Sequence, residues 1–143
     1  MYKKAIVFFL VIFAIYLCSC SKTESNYQSS DLNAVDRNAL DVSIIKLIAA
    51  PEKYHGRVVR VIGVGNLEFE GCAVYLSRDD YKYRVHKNGL WIELDEKATS
   101  YEDAKEFNGK YVIIEGTFDK NDAGHFGMWS GSIKKITRYE LWE

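Results

Sequence analysis

The sequence predicts a mainly β domain: a five-stranded barrel with a short helix between its third and fourth strands and a further helix ahead of the first. Three observations carry this. Five β-rich runs follow one another between residues 57 and 142, separated by turn-forming clusters. One helical stretch, "YEDAKEF", interrupts them between the third and the fourth. An internal echo relates "YHGRVVRVIG" (54–63) to "FNGKYVIIEG" (107–116), each reading aromatic, polar, Gly, basic and then a β-rich run ending in Gly.

In chain order, the first folded piece is "DVSIIKLIAAPEKY". Asp41 is a plausible N-cap, and Ile44, Ile45, Leu47 and Ile48 crowd one side of a short helix. Pro51 ends that helix and can open a second turn. "HGRVVRVIGVGNLEFEG" reads as one long strand that bends or bulges at Gly63 and Gly65. Arg57 and Arg60 alternate with valines there and are expected on the barrel's outer face, opposite Val59 and Val61. "CAVYLS" is the second strand, and Cys72 at its start reads as a small buried hydrophobe. In "SRDDYKYRV", Ser77 followed by Asp80 three residues on resembles a capping box and predicts a short helical turn or loop. "LWIELD" is the third strand. Ser100 and Asp103 cap the helix "YEDAKEF", and "KYVIIEGTFD" and "SIKKITRYELW" are the last two strands, joined by the glycine-rich "KNDAGHFGMWSG".

Strand, strand, strand, helix, strand, strand is the order of an OB-fold-like barrel, a partly open five-stranded architecture whose loops bind oligonucleotides or oligosaccharides. The roughly 100 residues from Asp41 suffice for one such domain with a single core.

Ahead of it lies a segment of another kind. Lys3 and Lys4 precede an uncharged run from Ala5 to Leu17. Thirteen helical residues span about 20 Å, short for a bilayer core of about 30 Å. This is signal-peptide anatomy. Residues 21–38, "SKTESNYQSSDLNAVDRN", are polar and serine-rich, a composition suited to a flexible spacer. The expected organisation is therefore a leader over 1–19, a tether over 20–40 and the barrel domain over 41–143.

Leu17-Cys18-Ser19-Cys20 resembles the lipobox of bacterial lipoproteins. The resemblance implies cleavage between Ser19 and Cys20 and a diacylglycerol thioether on Cys20; an ordinary signal peptide and an uncleaved anchor are the alternatives. Cys18 departs from the commoner Ala, Ser or Thr, and as acceptor it would place bulky Leu17 in the disfavoured preceding position. With the lipobox, the "PEKYHGRVVRVIG" start and the "GKYVIIEGTF" strand, the chain is similar to small bacterial OB-fold lipoproteins of the tRNA-anti-like type over most of residues 42–140. That likeness describes a barrel rather than a reaction. It implies a lipid-anchored domain at the cell membrane or, given Ser21 in a diderm cell, at the outer membrane, facing periplasm or exterior. Only Cys72 then remains as a thiol, which excludes an internal disulfide.

The chain holds 19 basic and 20 acidic groups; without Lys3 and Lys4 the balance is 17 against 20, about −3. General nucleic-acid binders are basic over the domain, so the balance argues against nucleic acid as partner. His55, His86 and His125 show no metal-ligand spacing, and no nucleophile elbow, Walker loop or H-E-x-x-H is present. No enzyme and no cofactor is expected. Two stretches are candidate binding elements. In "SRDDYKYRVHKNG", Arg78, Lys82, Arg84, His86 and Lys87 intermix with Tyr81 and Tyr83, as in stacking and phosphate-tracking surfaces; a solvated loop with offsetting aspartates is the competing reading. In "DAGHFGMWSG", three glycines allow a mobile loop, and His125, Phe126, Met128 and Trp129 offer contact surface to a protein or glycan; alternatively Phe126 and Trp129 close the barrel's end. The expectation is an envelope binding module, with an immunity-type inhibitor of an envelope-acting toxin as the alternative.

Overall fold

The computed structural model describes residues 38–94 and 101–143. The expected leader, Cys20, most of the tether and Ser100 lie outside the described residues. Five strands close a barrel: β2 (Val58–Asn66), β3 (Ala73–Tyr75), β4 (Gly89–Ile92), β5 (Tyr111–Asp119) and β6 (Ser132–Leu141), preceded by a two-residue β1 (Leu40–Asp41). The sheet order is β1-β2-β3-β4-β6-β5, and pairing of β2 with β5 completes the ring. β4 and β6 run parallel, whereas the other barrel pairs are antiparallel. The helix Tyr101–Lys105 lies between β4 and β5. Closure leaves no long open edge, and the order is OB-fold-like, as expected.

Strand alternation sorts the side chains into two apolar groups. Val59 and Val61 of β2, Val74 of β3, Leu90 and Ile92 of β4, Val112, Ile114 and Phe118 of β5, and Ile133 and Tyr139 of β6 fill the interior. The intervening residues face outward, and some of them, Val64, Ala73 and Tyr75, are also buried, in a second cluster around Trp129.

The echo has a physical basis. Its turn glycines, Gly56 and Gly109, both adopt left-handed φ, at 75° and 74°, so each turn delivers its strand from a conformation that favours glycine. Its terminal glycines, Gly63 and Gly116, are interior positions vacated for a neighbour. A Cβ on Gly63 would lie 2.7 Å from Ile44 Cδ1, and one on Gly116 would lie 2.7 Å from Ile133 Cγ2. Opposite Gly116, β6 shifts register, with Lys135 at φ 48°. This irregularity bends β6 around the barrel.

Ahead of the barrel come α1 (Ile44–Ala49) and α2 (Pro51–Tyr54). Ser43, not Asp41, caps α1, its hydroxyl accepting from the Lys46 amide at 3.4 Å. Asp41 instead extends β1, and its Oδ1 accepts from Arg60 at 3.1 Å. Of the four apolar residues expected on one face, Ile44 and Leu47 are buried while Ile45 is 57% exposed: a six-residue helix presents little more than one row to the barrel. Pro51 opens α2 as expected. Ser77 caps α3 (Arg78–Lys82), accepting from the Asp80 amide at 3.1 Å while donating to its carboxylate at 2.5 Å. The helix between β4 and β5 is α4. Arg57 is exposed and precedes β2, so only Arg60 stands on the outer face.

Candidate functional site

The β5–β6 loop (120–131) folds back onto the outer face of β3 and β4. The mobile, glycine-rich loop of the sequence reading is pinned at several points. Lys87 Nζ donates to the carbonyls of Gly127 and Trp129, each at 3.1 Å, and Ser130 Oγ donates to the Lys87 carbonyl at 2.8 Å. At its base, Lys134 Nζ bridges Asp119 at 3.1 Å and Asp122 at 2.8 Å. Gly124 and Gly127 serve geometry: both have positive φ, and a Cβ on Gly124 would lie 2.6 Å from the Trp91 ring.

Trp129 is the largest fully buried side chain among the described residues, at 1% exposure. Its ring lies 5.0 Å from Trp91 and 4.8 Å from His86. OB-fold barrels receive ligands on the face of their second and third strands and on the flanking loops. Here that face, on β3 and β4, is covered by the chain's own tryptophan.

What stays open is the rim. The β2–β3 loop (67–72), the segment after α3 and the β5–β6 loop line an open depression of about 400 Å³. Phe69 and Phe126 border it, 91% and 86% exposed. Arg84 donates to Glu68 Oε2 at 2.8 Å, and His125 Nε2 lies 3.5 Å from Glu70 Oε2, linking the two barrel loops. Glu70, Arg84 and Phe126 hold left-handed φ of 59°, 54° and 54°. Such conformations cost of order 1–3 kcal/mol each and persist where the surroundings impose them, as at binding sites.

Of the residues named in the two candidate stretches, Arg84, His86, His125, Phe126, Met128 and Trp129 meet here. Trp129 forms the floor of the depression rather than an exposed contact. Tyr81 and Tyr83 stand outside the lining. Tyr81 packs edge-on against Tyr75 at 5.9 Å, and Tyr83 is exposed beneath Lys82. The cations of the basic stretch stay exposed while each has a partner within the chain: Arg78 over Tyr111, Lys82 over Tyr83, Arg84 on Glu68 and over Tyr81, Lys87 on loop carbonyls. The sequence reading missed Phe69 with Glu68 and Glu70, because "LEFEG" continues the strand alternation of "VIGVGN". The glycine closing it was the available signal of a turn. Cys72 is half-buried, its thiol donating to the Glu68 carbonyl at 3.4 Å, and burial pushes its pKa up, as suits a packing role. Among the described residues no cluster of His, Cys, Asp and Glu is arranged to hold a metal ion.

His86 joins the floor to the loop. Its Nδ1 lies 2.9 Å from the Tyr75 hydroxyl. Burial first, then the Arg84 charge, hold its pKa below the ordinary 6.5, so the neutral ring accepts from Tyr75. The unfolded chain takes up this proton at a higher pH than the folded one does. His86 therefore contributes stability that is complete above pH 6.5 and is lost as pH falls through the lower folded value. Thermal melts between pH 7.5 and pH 5 are expected to show a stability slope that His86→Asn flattens; parallel slopes in the two proteins would refute the assignment.

Comparison of the chain with protein-family models, curated proteins and solved structures returns no match.

Proposed function

We propose that the protein is a lipid-anchored binding module of a bacterial cell envelope, carried on its 20–40 tether and recognising a protein or envelope polymer through the depression between the β2–β3 and β5–β6 loops. The observation that carries this reading is the pair of exposed phenylalanines, Phe69 and Phe126, set across one depression on two braced loops. Large aromatics left in water beside a preformed hollow are the anatomy of a contact surface. Around them Arg84 pairs with Glu68, and Glu70 lies beside His125, polar groups placed to orient a bound partner. The exposed carboxylates of Glu68 and Glu70 on the lining repel phosphates, which weighs against nucleic acid. The lipobox-like Leu17–Cys20 supports the anchor, and the likeness to tRNA-anti-like OB-fold lipoproteins supports the same placement.

Two substitutions test the two halves of the proposal in the full-length protein. Cys20→Ala is expected to move the protein from the membrane pellet to the soluble fraction; continued pelleting after a high-salt wash would remove lipid as the main tether. Phe69→Ser combined with Phe126→Ser is expected to abolish capture of envelope components by the immobilised protein while leaving its melting temperature within a few degrees of the parent. Undiminished capture would place recognition elsewhere on the barrel.

A further inference from the structure

We infer that the depression takes a neutral, hydroxyl-rich ligand, a segment of a glycan chain laid across Phe69 and Phe126. The inference rests on the reading of this depression as the contact surface and names the chemistry that fits it.

Charge narrows the choice. A cationic ligand would compete with Arg84, whose guanidinium already sits 2.8 Å from Glu68 Oε2. An anionic ligand would meet Glu68 and Glu70, whose side chains remain 44% and 54% exposed on the lining. A purely apolar ligand, an acyl chain for instance, would strip water from two carboxylates and a guanidinium without replacing their hydrogen bonds, at a cost of several kcal/mol. A neutral polyol escapes all three penalties. Its hydroxyls both donate and accept, so they satisfy the outer carboxylate lone pairs and the remaining guanidinium N–H groups by charge-assisted bonds.

The aromatic groups supply the complementary half. A phenyl face carries the negative lobe of the ring quadrupole and attracts polarised C–H bonds, which line the faces of a pyranose ring. Two such faces are offered, on Phe69 and on Phe126. The hollow of about 400 Å³ is open, which favours a stretch of polymer passing across it over an enclosed small molecule. The bonds of Lys87 to the carbonyls of Gly127 and Trp129 and of Arg84 to Glu68 hold the lining, so little ordering is required on binding.

The test is titration of the full-length protein in a sugar-free detergent with three neutral tetrasaccharides, the β-1,4-linked oligomers of N-acetylglucosamine and of glucose and the α-1,4-linked oligomer of glucose. An acidic oligosaccharide and a cationic peptide of similar length serve as comparators. Calorimetry is expected to show saturable binding of at least one neutral sugar, with affinity falling about tenfold or more in Phe69→Ala and in Phe126→Ala, as for central aromatic contacts. Melting curves of both variants confirm that they fold. A protein-free polysaccharide fraction of the envelope, compared with a glycoprotein fraction, assigns the source of the glycan. Absence of binding by all three neutral sugars, binding unaffected by both substitutions, or preference for either charged comparator would overturn the inference. Loss of a captured protein partner in the paired phenylalanine variant without any sugar binding would overturn it too, while leaving the binding-module proposal standing.

Discussion

Trp129→Ala is expected to lower stability by about 3–5 kcal/mol, the range for truncating a large buried aromatic. For a domain of this size each kcal/mol is worth roughly 4–8 °C in melting temperature, so the drop should exceed about 10 °C. The cause lies in the packing: Trp129 joins the buried residues Val64, Ala73 and Tyr75 on the outside of the barrel and touches Trp91 and His86. Removing it opens a cavity between loop and sheet and exposes the outward faces of β2 and β3. Phe126→Ala, three residues earlier but 86% exposed, should change stability by no more than about 0.5 kcal/mol. Calorimetric melts of the two variants give the comparison. A Trp129→Ala protein melting within about 2 °C of the parent would show that the loop contributes nothing to the barrel. Amide exchange adds a second reading, since protection in residues 120–131 should fall before that of β5 and β6.

Glu115→Ala should be nearly as damaging, for an electrostatic reason. Glu115 is fully buried on the outer face, its Oε1 2.6 Å from Arg60 Nε and 3.2 Å from Arg138 Nη1. Asp41 and Glu140 extend the row beyond the two arginines, at 3.1 Å and 2.9 Å. Deleting the central carboxylate leaves two guanidinium groups without the charge between them, a change that typically costs 3–5 kcal/mol. The lower end applies, because the arginine side chains keep 18% and 23% exposure and retain their outer acids. Replacing all three together, Glu115→Leu with Arg60→Met and Arg138→Met, should restore most of the loss, since well-packed apolar side chains match buried ion pairs. Urea titrations at constant pH measure both. A triple variant no more stable than Glu115→Ala would mean that the network does more than neutralise itself.

The barrel order was legible because it is written in short-range terms. Alternation in "VVRVIGVG" and "KYVIIEGTF" marks strands, Pro51 breaks a helix, Ser77 caps one, and the repeated glycines at 56 and 109 mark two equivalent turns. The candidate site was legible in part. Residue type drew His125, Phe126 and Arg84 into the candidate set, Phe69 was hidden inside an apparent strand, and Trp129, weighed both as contact surface and as a packing residue, lies buried as the floor. The Asp41 cap and the apolar face through Ile45 failed for a similar reason: each was assigned from local spacing, while pairing with β2 and the narrow footprint of α1 decided the outcome.

The sequence by itself determined the five strands, their order, the helix between the third and fourth, and the turns at Gly56 and Gly109, because each depends on neighbours a few residues away. Tertiary structure alone decided that Lys87 would hold the carbonyls of a loop 40 residues on, that Arg60 would meet Glu115 across 55 residues, and that the tryptophan of "HFGMW" would turn in while its phenylalanine turned out. Those outcomes follow from barrel closure. It brings distant segments to one surface and leaves room there for one large ring.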